Sequence, residues 1–152
     1  MNRLLIFSVI LFSLSATAQR SPFTNLTEKN GKIGIGTTTP DELLTVKGII
    51  HTQEVLVDLD GAVAPDYVFE NYFNGFSEMM PEYRLISLEE LETFLKENKH
   101  LPNVPSAETM QQEGISLKEM NLILLQKIEE LTLYTLQQQK EINALKEKIS
   151  EK

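Results

Sequence analysis

The chain has 152 residues, 41% of them apolar and 24% charged, a globular composition with room for one domain and an extension. A formal net charge of −8 argues against nucleic acid and anionic membrane surfaces as partners. Cysteine is absent, which excludes disulfides, thiol catalysis and thiolate metal sites.

At the N-terminus, Asn2 and Arg3 precede an apolar stretch from Leu4 to Leu14, and Ala16-Thr17-Ala18 follows. This is the pattern of a secretory signal peptide over residues 1–18, with Ala16 and Ala18 as the small residues at the cleavage site. The apolar stretch is shorter than the ~20 residues a membrane-spanning helix needs. The mature protein is therefore expected outside the inner membrane (periplasm, cell surface or medium) with no membrane span.

Residues 19–30 are polar and read as a flexible leader. From Gly31 glycine alternates with β-branched residues, and Leu44-Thr45-Val46-Lys47 and Val55-Leu56-Val57-Asp58-Leu59 read as strands with Asp60-Gly61 as a turn. Residues 31–61 thus form a short β-rich unit. Residues 62–115 follow as an aromatic head, with Tyr67, Phe69, Tyr72, Phe73, Phe76 and Tyr83 in a segment without clear period. Ser87 with Glu90 is a capping box, and Leu88, Leu91 and Leu95 give the apolar stripe of a helix that stops near Asn98. Pro102 and Pro105 fix a linker, and Ser106 opens a brief helical turn that Gly114 ends.

Ser116 with Glu119 is a second capping box, and no proline or glycine follows it. Residues 116–152 carry a heptad pattern. The a positions are Asn121, Ile128, Thr135, Ile142 and Ile149; the d positions are Leu117, Leu124, Leu131, Gln138 and Leu145. This predicts a coiled coil through which the chain associates with itself. Glu141 at g and Lys146 at the next e pair between parallel chains, and Thr135 with Gln138 makes a polar layer that fixes register at some cost in stability. Ile123, Leu125, Leu133, Tyr134 and Leu136 lie off the seam and are expected to receive the Ser87 helix and the aromatic segment.

Catalytic and cofactor signatures do not assemble. Gly34-Ile35-Gly36 lacks the third glycine of a dinucleotide loop, and Asp58, Asp60 and Gly61 are followed by alanines where calcium ligands would be needed. His51 and His100 have no zinc-ligand spacing. The expectation is a non-enzyme without metal or cofactor.

Gly34-Ile35-Gly36-Thr37-Thr38-Thr39-Pro40, Leu44-Thr45-Val46-Lys47-Gly48, Pro65-Asp66-Tyr67-Val68-Phe69, Ser87-Leu88-Glu89-Glu90, His100-Leu101-Pro102-Asn103-Val104-Pro105 and Glu129-Glu130-Leu131-Thr132-Leu133-Tyr134 together resemble a C-terminal module of bacterial secreted proteins related to phage tail fibres. The resemblance covers about residues 31–149 and implies an α+β chain: a short β-rich fibre repeat, a linking head with a short helix, and a long coiled-coil helix, usually trimeric. It favours a homotrimer over the dimer that Ile at a with Leu at d suggests, with a cell-surface or fibre partner as a further expectation. The serine motif of the self-cleaving chaperones that end some tail fibres finds no match here. An assembly chaperone or autoprotease, and a glycan-binding protein using the aromatic segment, stand as alternative readings.

Overall fold

The structure, a computed structural model, describes residues 23–151. The expected signal peptide, with Ala16 and Ala18, lies outside the described residues. Among the described residues the architecture is α+β, three short strands followed by four helices, and the chain divides into two units after Val55.

The first unit is a three-stranded sheet in the order β1-β2-β3, with β1 Leu26–Lys29, β2 Lys32–Ile35 and β3 Leu44–Val46. β1 and β2 are antiparallel, with Leu26 opposite Ile35 and Lys29 opposite Lys32. Asn30 and Gly31, both at positive φ (54° and 76°), form the two-residue connection, the geometry that Asn-Gly favours between twisted strands. The segment expected as a loose leader therefore contains a strand. β3 pairs parallel to β2. Gly34 lies so close to Thr37 that an added Cβ would stand 2.5 Å from its carbonyl oxygen, and one on Gly36 would stand 2.9 Å from that of Lys47. These glycines serve close backbone approach within the sheet. The Thr45 hydroxyl donates to Asp41 Oδ1 at 2.6 Å and accepts from the backbone N–H of Asp41 and Glu42. That bond, foremost, holds the Asp41 carboxyl below its ordinary range.

The expected strand from Val55 to Leu59 does not form: the residues are exposed and pair with no neighbour. Alternation supplies a face but not a partner ladder, and a strand needs both. The turn after it does form, with Ala62 N–H donating to Leu59 O and Asp60 and Gly61 at positive φ.

In the second unit the aromatic segment is more regular than expected. α1, Tyr67–Asn74, begins after Asp66 and ends at Gly75, whose left-handed conformation (φ 78°) lets its N–H reach Asn71 O. α2, Leu88–Asn98, has the full reciprocal capping box between Ser87 and Glu90 and closes on Lys99 at φ 61°. Arg84 grips the same Glu90 carboxylate with two N–H groups, and this pair with the Ser87 N–H holds the Glu90 carboxyl at about 2. α3, Ala107–Glu113, is capped by Ser106, whose hydroxyl accepts from Thr109 N–H. α4 runs from Leu117 to Ser150 with Ser116 as its cap, a rod of about 50 Å.

The core sits where α1 crosses α4. Tyr67, Val68 and Leu133 form its centre, with Val63, Phe69, Tyr72, Met80, Tyr83 and Leu85 packed around them. Pro65 and Ser77 are also fully buried.

Candidate assembly surface

α4 presents two working faces. The first receives the head and is chosen by polar groups as much as by apolar ones. Gln126, Glu129, Leu133 and Tyr134 are its buried residues. The Tyr67 hydroxyl donates to Gln126 Oε1 at 3.0 Å, Gln126 Nε2 donates to Glu130 Oε1 at 2.7 Å, and Lys127 Nζ donates to Glu130 Oε2 at 2.8 Å. Tyr83 reaches the same carboxylate at 3.4 Å and meets the Tyr67 ring edge-on at 5.0 Å. Burial first, then the negative charge of Glu130, pushes both phenols above their ordinary range. Further along, the Tyr134 hydroxyl donates to Ile86 O at 2.8 Å, which ties the entry to α2 onto α4. Lys140 lies 5.7 Å from the centre of the Tyr72 ring and donates to its hydroxyl, marking the far end of the head.

Glu129 is the discordant member. It is 5% exposed, and its Oε2 has no hydrogen-bond partner. Burial, with the Asp66 carboxylate adding repulsion, raises its pKa.

Of the off-seam residues expected to hold the head, Leu133 and Tyr134 do so, whereas Leu125 and Leu136 remain exposed. Gln126, Glu129 and Glu130 were not foreseen. The contact is tyrosine-rich on the head side, and buried phenols need acceptors as well as apolar neighbours. The element directly on α4 is α1; α2 buries no residue of its own.

The second face is the heptad seam. All ten positions, Leu117, Asn121, Leu124, Ile128, Leu131, Thr135, Gln138, Ile142, Leu145 and Ile149, are exposed in the single chain, Leu131 at 64% and Ile149 at 74%. They lie on the side of α4 away from its buried residues Gln126, Glu129 and Leu133. The polar layer is milder than its residue types suggest, because the Thr135 hydroxyl donates to Leu131 O at 2.8 Å within its own helix. Gln138 remains as the polar group of that layer.

Between the two faces runs an apolar groove of about 350 Å³, walled by α2 and the Leu101–Pro102 corner on one side and by α4 on the other. His100, in that corner, holds its Nδ1 3.0 Å from Leu101 O and its ring edge-on to Phe94. His51 belongs to the first unit. Among the described residues no cluster of three His, Asp or Glu side chains is arranged to hold a metal ion, and no helix is long and apolar enough to cross a membrane.

No family model, curated protein or solved structure matches this chain.

Proposed function

We propose that this protein is a secreted, non-enzymatic, tail-fibre-like structural protein that assembles as a parallel homo-oligomer, a trimer rather than a dimer, through the seam of α4. The observation that carries this reading is the exposure of every seam residue in the single chain, on the side of α4 away from the buried line of Gln126, Glu129 and Leu133. Seven of those ten positions are Ile or Leu, and a sustained heptad stripe left in water is the signature of a helix that buries it against copies of itself.

The first unit adds support. Among its described residues, 23–55, only Gly34 and Thr45 are buried, while Leu26, Ile33, Ile35 and Leu44 stay exposed. A three-stranded sheet with no apolar side chain inside it lacks the burial that stabilises small folds. Association supplies it.

Parallel orientation follows from polar matching. With full overlap, antiparallel chains would set Asn121 against Leu145 and Ile128 against Gln138, leaving each polar amide facing an aliphatic chain. Parallel chains in register set Asn121 against Asn121 and Gln138 against Gln138, the pairing in which buried amides satisfy one another. Trimer over dimer rests on the tail-fibre resemblance.

Light scattering on the exported protein tests the reading. The expected mass is three chains, and Leu124→Asp with Leu131→Asp should reduce it to one, because an unpaired carboxylate in the seam is strongly unfavourable. A monomer in the unmutated protein would overturn the proposal.

A further inference from the structure

The groove beside the seam has an apolar lining and no occupant among the described residues of its own unit. Leu91 of α2, Leu101 and Pro102 line one wall, and Leu124, Ile128 and Leu131 of α4 line the other. The three α4 residues are seam positions, so groove and seam form one continuous surface. Lys127 and Tyr134, which also border the groove, are g positions. The opening therefore lies on the g flank of α4.

In parallel coiled coils the g flank of one helix meets the e edge of the next. Counted as for Glu141 and Lys146, from g to the next e, Lys127 faces Thr132 and Tyr134 faces Gln139 of the neighbour, with Leu125 one heptad before them. Leu125 is 43% exposed and is not part of the head's core cluster. The Thr132 hydroxyl donates to Ile128 O at 2.8 Å within its own helix, so the residue can enter an apolar site without a stranded donor. Charge agrees with this fit. Lys127 on the groove wall is paired with Glu130 at 2.8 Å, so no free charge opposes an uncharged edge. The charged e residues on either side, Lys118 and Lys146, are not among the groove residues; Lys118 donates to Leu59 O within its own chain, and Lys146 falls opposite Glu141 of the neighbour.

We infer that the groove between α2 and α4 receives the e edge of a second copy's α4 around Thr132, from Leu125 to Gln139. Each head then clasps its neighbour's helix, and the contact closes into a ring by repeating around the axis. This rests on the parallel self-association proposed above and adds the head, through Leu91 and Leu101, to the interface.

The cysteine-free chain allows a direct test. Differently tagged chains carrying Leu91→Cys or Thr132→Cys are unfolded together, refolded and oxidised, with Leu124→Cys in both chains of a separate sample as the seam control. The expected result is a Leu91→Cys to Thr132→Cys disulfide between tags, identified by mass spectrometry of the linked peptides, alongside the Leu124→Cys control link. Leu91→Cys should also react with a thiol probe at least tenfold more slowly in the assembled protein than after dissociation by Leu131→Asp. A control link without the head-to-helix link, or with Leu91→Cys labelled at full speed, overturns the clasp and leaves self-association standing; the groove then belongs to a different partner. No link of either kind, with a monomer by light scattering, removes the self-association reading and the clasp with it.

Discussion

Leu131 and Leu133 sit two residues apart on one helix and should respond to the same substitution in different ways. Leu133 is fully buried against Tyr67 and Val68, whereas Leu131 is 64% exposed in the single chain. Leu133→Ala removes three buried carbons from the centre of the head and leaves a hole that its aromatic neighbours cannot fully close. The expected loss is about 3 kcal/mol, within the range of about 2–5 for buried leucine truncations. With a urea dependence of roughly 1.5 kcal/mol per molar for a small domain, that moves the midpoint down by about 2 M. Leu131→Ala removes the same atoms from the seam, so its effect should follow association: present when the protein is concentrated and absent when it is dilute enough to be monomeric. Urea melts read by near-ultraviolet circular dichroism of the tyrosines, at two protein concentrations, separate these cases. The division of α4 into a head face and an assembly face would be refuted if Leu133→Ala shifted the midpoint only at high concentration, or if Leu131→Ala shifted it equally at both.

Two further substitutions probe the polar side of the head. The Glu129 carboxyl has a folded pKa above its unfolded value, so the folded state holds the proton more tightly; its ionisation lowers stability as pH rises through the folded pKa and is harmless below the unfolded one. Glu129→Gln should therefore raise stability at pH 7.5 by on the order of 1 kcal/mol and flatten that part of the pH–stability curve, measured by thermal melts between pH 4 and 8. Tyr134→Phe keeps the ring but withdraws the donor from Ile86 O, and a loss of about 1–2 kcal/mol is expected, with faster hydrogen exchange at the start of α2 while the interior of α4 stays protected.

The legible parts of the chain were those written in local chemistry. Ser87, Ser106 and Ser116 each accept a bond from the backbone N–H three residues on, and the helices begin where those side chains predict. The heptad stripe coincides with exposed residues of α4 because its period of about 3.5 residues keeps it on one side of the helix. What escaped depended on partners distant in sequence. The Val55–Leu59 alternation resembles that of a true strand, and only the missing ladder distinguishes them. α1 was obscured because the many rings of its segment mask the helical period, although Asp66 before it and Gly75 after it are ordinary boundary residues. The buried line of Gln126, Glu129 and Glu130 reads in isolation as solvated surface; it becomes interior because Tyr67 and Tyr83 bring hydroxyl donors to it. The Asn30-Gly31 turn has a local signal of its own, but the polar residues before it lack the apolar alternation that marks a strand.

The two faces of α4 also differ in length, and under the proposed self-association this would couple folding to assembly. Head contacts extend along the helix from Gln126 to Lys140, where the Tyr72 ring meets the last of them. From Glu141 to Ser150 every residue is exposed, yet the seam continues through Ile142, Leu145 and Ile149. Among the described residues nothing covers those final turns, and a short helical extension without packing is only marginally stable in water. The apolar residues there gain burial only when a neighbouring helix runs beside them in register. Glu141 and Lys146 would then lie across from each other between chains. Inside one chain the head and α4 stabilise each other around Leu133; under the proposed self-association, a second copy would stabilise the far turns. On that proposal the same helix that closes the head would rely on association to complete its own C-terminal end.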